Sequence, residues 1–172
     1  FDEKGNNLRK TFLRSPLNFS RISSRYSRKR FHPVLKRYKS HLGTDYAAPR
    51  GTPIRSVADG IVTEATRNRG NGIYVKIKHN NKYSTQYLHM SKFAKKIKKG
   101  VRVTQGQTIG YVGSTGLASG PHVCFRFWKN GIQVDPYKQN DLPPGEPISQ
   151  IHYNTFEYIR LKYLEKLKIN LI

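Results

Sequence analysis

A single cysteine, Cys124, leaves this chain without an internal disulfide framework and without a cysteine-rich structural zinc cluster. Acids are scarce, with 10 Asp plus Glu against 32 Lys plus Arg, and no close carboxylate pair of the kind a glycosidase needs stands out among them. No run approaches the roughly 18 apolar residues of a membrane span. No positively charged start followed by an apolar stretch reads as a signal peptide. The only methionine is Met90 and the first residue is Phe1, so the sequence reads as a processed or trimmed piece of a longer chain, with an upstream domain expected. Neither absence therefore assigns a compartment. Internal repeats and low-complexity segments are also missing, apart from a basic bias near the start.

What is present fits one domain, since 172 residues suffice to bury a core but not two. The formal charge of +22 predicts attraction to polyanions such as nucleic acid, anionic lipid or wall polymers without choosing among them. Specific nucleic-acid binding is not expected, because any chain this basic binds DNA electrostatically and no recognition motif accompanies the charge. Residues 1–40 concentrate it, with Arg28, Lys29 and Arg30 in succession. As a charge run alone, this segment reads as a solvated arm.

Between Pro53 and Pro136, short strand-like runs alternate with turn signals, the pattern of an all-β antiparallel fold of the small sandwich or barrel kind. Ile73, Val75 and Ile77 alternate with Tyr74, Lys76 and Lys78, giving one apolar face and one basic, solvated face. Asn80 and Asn81 turn the chain, and Tyr83 to His89 returns as the antiparallel partner with His89 at or just beyond the strand's end. Further strands are expected at 101–103, 109–112 and 123–128, the last closed by Asn130-Gly131, a type I′ hairpin signal. Past Pro143-Pro144, Phe156, Ile159, Tyr163 and Leu167, with Leu164 beside them, recur at helical spacing among charged residues. The expected organisation is a basic segment over 1–19, a core domain over 20–142, and a linker with an amphipathic helix over 143–172, packed on the sheet or on a neighbour.

Chemistry-bearing residues gather in three places: His41 and Asp45, separated by Leu-Gly-Thr; His89; and His122 with Cys124 after Gly120-Pro121. On a strand, side chains two apart face the same way, so His122 and Cys124 project together while Val123, Phe125 and Phe127 point inward. Gly43 permits a sharp backbone course that brings His41 and Asp45 together. Imidazole, carboxylate and thiolate are all zinc donors, and three protein ligands with one position left to water is a catalytic arrangement. Taken singly, a buried Cys is a small hydrophobe and an isolated His a structural residue.

The runs Ser23-Ser24-Arg25, Arg30-Phe31-His32-Pro33, His41-Leu-Gly-Thr-Asp45-Tyr-Ala-Ala-Pro49 and Gly51-Thr-Pro53 resemble the opening of the lysostaphin-type (LytM-like) zinc endopeptidases, which cut peptide cross-links in bacterial peptidoglycan. Tyr87-Leu88-His89, Gly113-Ser-Thr-Gly116 and Gly120-Pro121-His122 continue the resemblance in order, which covers about Ser20 to Pro136. It implies a small antiparallel β fold with Zn²⁺ in a groove and a place in the periplasm, cell envelope or outside the cell. Its first two ligands fall on His41 and Asp45, and its two non-ligand histidines on His89 and His122. The third ligand position, a histidine in the family pattern, falls on Cys124, and Arg126 stands where an acid is common.

Exchanging imidazole for thiolate lowers the charge of the metal and its ligands by one unit, which weakens the Lewis acid without preventing tight binding. The expected roles are His41, Asp45 and Cys124 as metal ligands, His122 as general base, and His89 as hydrogen-bond donor to the oxyanion or the leaving amine. Tyr46 and Arg126 are assigned to the substrate groove. The competing expectation is an inert family member that binds wall or regulates a partner hydrolase. His32 is placed in the framework, and His79 and His152 are structural or surface residues.

Overall fold

A computed structural model describes residues 4, 11–18, 21–32, 36–139 and 148–169. Contacts divide the chain into a unit spanning Phe12–Asn140 and a second that holds the C-terminal helix. The first unit therefore begins earlier than residue 20. Phe12 and Leu17 are buried in it, and Phe12 sets its ring edge-on to His79, Tyr83 and Phe127 at 5.2, 5.4 and 5.3 Å.

The unit is antiparallel β throughout, as the alternating pattern requires. Its strands are β1 (Arg21–Ser24), β2 (Ser27–His32), β3 (Arg37–His41), β4 (Thr44–Ala47), β5 (Pro53–Arg55), β6 (Gly60–Asn68), β7 (Gly72–Lys78), β8 (Tyr83–Phe93), β9 (Arg102–Val103), β10 (Thr108–Val112), β11 (His122–Lys129) and β12 (Ile132–Val134). The main sheet runs β1-β4-β11-β8-β7-β6-β9, with β12 added to β11 and β10 joining β8 to β5. Strands β2 and β3 form a separate two-stranded ribbon. At the β11–β12 turn, Asn130 and Gly131 have φ of 52° and 77°, the pair of positive values that a type I′ hairpin demands.

One face of the sheet is the core: Val123, Phe125 and Phe127 of β11, Tyr87 of β8, and Val75 and Ile77 of β7 are all at most 2% exposed. The other face carries Tyr74, Lys76 and Lys78, and it is less open than its lysines imply. Tyr74 is buried there with Leu88 and Cys124, and Lys76 Nζ sits 5.1 Å from the Trp128 ring centroid, a cation–π contact. This basic outer face is the one on which Cys124 lies.

In the second unit, the expected helix is α1 (Gln150–Ile169). Ile159 and Tyr163 are exposed, Phe156 and Leu164 half-buried, and the side chain of Leu167 lies outside the described residues. No described helix is long and apolar enough to cross a membrane.

Candidate metal centre

Register alone brings the cluster together. Strands β4 and β11 pair so that Asp45 lies directly opposite Cys124, and β8 pairs from the other side so that Leu88 lies opposite Cys124. His41 closes β3, one short corner before β4. At that corner a Cβ on Gly43 would meet Phe125 O at 2.9 Å, Arg126 Cγ at 3.0 Å and Cys124 Sγ at 3.1 Å. Its φ is not positive. The glycine is therefore needed for close approach to β11 rather than for a left-handed turn.

His41, Asp45 and Cys124 are all buried, and one donor atom from each lies within 4.8 Å of the others. His41 Nε2 is 2.9 Å from Asp45 Oδ1 and 3.5 Å from Cys124 Sγ. The other ring nitrogen, Nδ1, donates to the carbonyl of Arg25 at 3.1 Å, the outer hydrogen bond that orients a metal-ligating imidazole. A neutral His41 held in this way turns the lone pair of Nε2 toward a carboxylate oxygen that also only accepts. A proton on Nε2, which makes His41 a donor to Asp45, or a metal cation satisfies the pair. A nitrogen, an oxygen and a sulfur donor at this spacing are a set that fits a zinc ion.

Electrostatics agree with the geometry. Burial pushes the Asp45 carboxyl upward, but the hydrogen bond and charge of His41, the charge of His122 and a hydrogen bond with Cys124 outweigh it and hold the pKa below its ordinary value. The Cys124 thiol is pushed up by burial and by Asp45, while Arg126 opposes this through its charge and a hydrogen bond.

His89 and His122 stand beside the cluster with ring centroids 4.8 Å apart. His122 shares the parity of Cys124 on β11, and its Nε2 is 3.9 Å from Asp45 Oδ1. His89 reaches the same place by breaking parity. β8 does not end near His89 but continues to Phe93. Strict alternation from Leu88 would turn His89 into the core. A bulge between the pairs Val75–Tyr87 and Ile73–Met90, with φ of 62° at His89, redirects it to the outer face. Its N–H donates to Asn71 O at 2.9 Å.

Both imidazoles have their Nδ1–H committed to a carbonyl: His89 to Thr115 O at 2.7 Å, His122 to Gly120 O at 2.8 Å. In the neutral form each therefore keeps an unprotonated Nε2. Burial, together with the charges of His122 and Arg126, depresses His89 to about 4 against the opposing Thr115 and Asp45. A neutral His89 accepts at Nε2, and it donates there only when it carries a second proton.

Of the two groove assignments, Arg126 lines the cleft around the cluster, whose volume is about 460 Å³. Tyr46 does not. It is 1% exposed, packs on Phe125 and binds Tyr137 OH at 2.9 Å through its hydroxyl. Asp45 faces the cleft, so its neighbour on the strand must face the core. Two cleft residues that sequence reasoning left unassigned are Arg30, whose Nη2 is 3.4 Å from Asp45 Oδ2, and Lys39. The signal was their position in the basic run leading to His41. His79 is half-buried, His152 is exposed on α1, and the His32 side chain lies outside the described residues.

With this geometry in view, the match to the model of peptidase family M23 over residues 39–136 is decisive. The chain belongs to peptidase family M23. It is 44% identical over 168 residues to the peptidoglycan DD-endopeptidase ShyC of Vibrio cholerae, covering 98% of this chain and 38% of that protein. It is 43% identical over 137 residues to the DD-carboxypeptidase/endopeptidase Mpg of Neisseria meningitidis, covering 78% and 31%. Among solved structures, a zinc-containing peptidase from Vibrio cholerae matches with a TM-score of 0.71 at 39% identity, covering 83% of this M23 chain and 44% of the other. The catalytic domain of lysostaphin from Staphylococcus simulans matches at 0.60 and 27%, covering 69% and 90%. The chain thus spans about a third of the length of the curated relatives it matches.

Proposed function

We propose that this M23 chain is a zinc metalloendopeptidase that hydrolyses peptide cross-links of bacterial peptidoglycan, acting in the periplasm or cell envelope. The observation that carries the reading is the convergence of three chemically different donors, His41, Asp45 and Cys124, within 4.8 Å of one another beside two histidines with free Nε2 lone pairs. The names of the peptidoglycan endopeptidases it resembles supply the substrate class. The zinc-containing neighbour supplies the metal. In this reading residues 20–142, with Phe12 and Leu17 in their core, are the peptidase domain of a longer protein.

A zinc ion held there supplies a Lewis acid for the scissile carbonyl and lowers the pKa of a water. His122, pinned at Nδ1, presents Nε2 as general base to the attacking water and can carry the proton to the leaving amine. His89, pinned to Thr115 and kept neutral by burial, offers Nε2 as a second proton-accepting point. To donate toward an oxyanion it must first gain a proton of its own. Arg126, beside the Cys124 sulfur, offsets the negative charge that a thiolate brings in place of an imidazole.

The second reading, an inert module that binds wall or a partner hydrolase, rests on Cys124, which stands where the family pattern has a histidine and must lose its proton to ligate. Zinc content and peptidoglycan digestion measured together on the chain, on Cys124→Ala and on His122→Ala separate the two. The hydrolase gives near one zinc and cleavage, both lost in Cys124→Ala. His122→Ala keeps its zinc while turnover falls by about 10²–10⁴-fold. A chain that binds no zinc and cleaves nothing when zinc is supplied is the inert module.

A further inference from the structure

In the β2–β3 ribbon, Arg30 lies directly opposite Lys39 and Phe31 directly opposite Tyr38. Neighbouring residues on a strand face opposite ways, so Arg30 and Lys39 occupy one face of the ribbon while Phe31 and Tyr38, with Lys29 Nζ 5.5 Å from the Tyr38 ring centroid, occupy the other. The cationic face lines the cleft of the metal cluster. The aromatic face is exposed, with the Phe31 and Tyr38 ring centroids 5.8 Å apart in an edge-on contact.

Like charges directly across a ribbon are destabilising, and little in the cleft offsets these two. Asp45 is the single acid lining it among the described residues. One Asp45 oxygen is engaged with His41, and the other reaches Arg30 Nη2 only at 3.4 Å. Arg30 Nη1 donates to Ser24 Oγ at 2.6 Å, but its Nε is buried with no acceptor. Among the described residues no carboxylate pairs with Lys39. Arg126 enters the same cleft from β11. Three cations therefore face a space whose one carboxylate serves the metal cluster.

Resting on the peptidase reading above, we propose that Arg30 and Lys39 form a subsite for a free carboxylate of the peptide substrate next to the scissile amide, so that the chain selects acidic cross-links over neutral ones. A carboxylate between the two side chains accepts charge-assisted hydrogen bonds from both and relieves their mutual repulsion. A neutral bridge leaves Lys39 without a carboxylate partner among the residues lining the cleft. The cleft's volume of about 460 Å³ admits a short length of peptide. The peptide is held by its charge on the ribbon side while its amide faces the histidines.

The test pairs two synthetic cross-linked peptides that differ only in one group beside the scissile amide, a free carboxylate or its primary amide. Both are given to the zinc-loaded chain and to Lys39→Gln, Lys39→Arg and Arg30→Gln. Values of kcat/KM are measured together with binding by calorimetry and zinc content. The expected result is a preference for the free acid of about tenfold or more, the scale of one charge-assisted hydrogen bond. It should lie mainly in KM, collapse in Lys39→Gln and Arg30→Gln, and persist in Lys39→Arg. Equal handling of acid and amide by the parent overturns the subsite, as does a Lys39→Gln loss that is the same for both peptides. Loss of zinc from Arg30→Gln with discrimination intact overturns the role of Arg30. If neither peptide is cleaved, the hydrolase reading fails separately. In that case, tighter binding of the acid that Lys39→Gln abolishes still upholds the subsite, and equal binding overturns it.

Discussion

His79 is protonated with difficulty because burial lowers its pKa from the ordinary 6.5, against the carbonyl and charge of Asp59. Its Nδ1 donates to Asp59 O at 2.7 Å and its Nε2 lies 2.7 Å from Thr85 Oγ1, itself 3.0 Å from Tyr87 OH. Above pH 6.5 the folded and unfolded chains are both neutral at this residue. As pH falls below that value the unfolded chain takes up the proton first, so stability is lost toward the lower folded pKa. The melting temperature should therefore drop as pH falls below about 6.5, and drop less in His79→Gln, where nothing titrates at this position. An unchanged slope in that variant would place the titration elsewhere. Residue by residue, parity made the site largely readable: it put His122, Cys124 and Arg126 on one face from sequence alone. The same rule, applied to Asp45 and its neighbour, would have kept Tyr46 out of the groove. His89 escaped parity because a bulge and a positive φ, neither of which leaves a local mark in the sequence, turned it outward.

Among the elements, the corner between β3 and β4 has the least room. Gly43→Ala places a carbon against the Phe125 carbonyl and the Cys124 sulfur, and the corner must move away from β11. Overpacking of this kind costs about 1–3 kcal/mol. Because His41 sits on that corner, zinc affinity should fall along with stability. Denaturant unfolding and zinc titration of the variant check both. Parent-like values in both would mean the corner shifts freely. Strands β7, β10 and β11, the Asn130-Gly131 hairpin and α1 were legible because each is specified by its own short pattern. The β2–β3 ribbon was read as a solvated basic arm, since a charge run carries no apolar alternation to betray a strand. Its partner is supplied by the chain a few residues on, and its cations by the cleft they face.

On the scale of the molecule, a charge of +22 acts at a distance that salt shortens, with a screening length of about 10 Å at 0.1 M. Added salt should slow digestion of the insoluble, anionic wall more than cleavage of a short soluble peptide, because only the wall engages charges remote from the cleft. Equal salt dependence on both substrates would confine the electrostatic effect to the cleft. The all-β class was legible at this scale, whereas the order β4-β11-β8 was not. That order joins Asp45 to Cys124, 79 positions further along the chain, and no local period encodes a pairing so distant.

The pairing of Asp45 with Cys124 also sets how this centre can vary over evolutionary time. Donor positions are fixed by counting residues along two hydrogen-bonded strands, so a point change can exchange one donor for another in place. Histidine to cysteine is a step of that kind. Losing or gaining one residue within β4 or β11 is a different matter, since it would present Thr44 or Tyr46 to the cleft instead of Asp45, or Val123 or Phe125 instead of Cys124. Loops outside those strands carry no such count. The centre is therefore free to change its chemistry by substitution, while insertions and deletions can accumulate only around it.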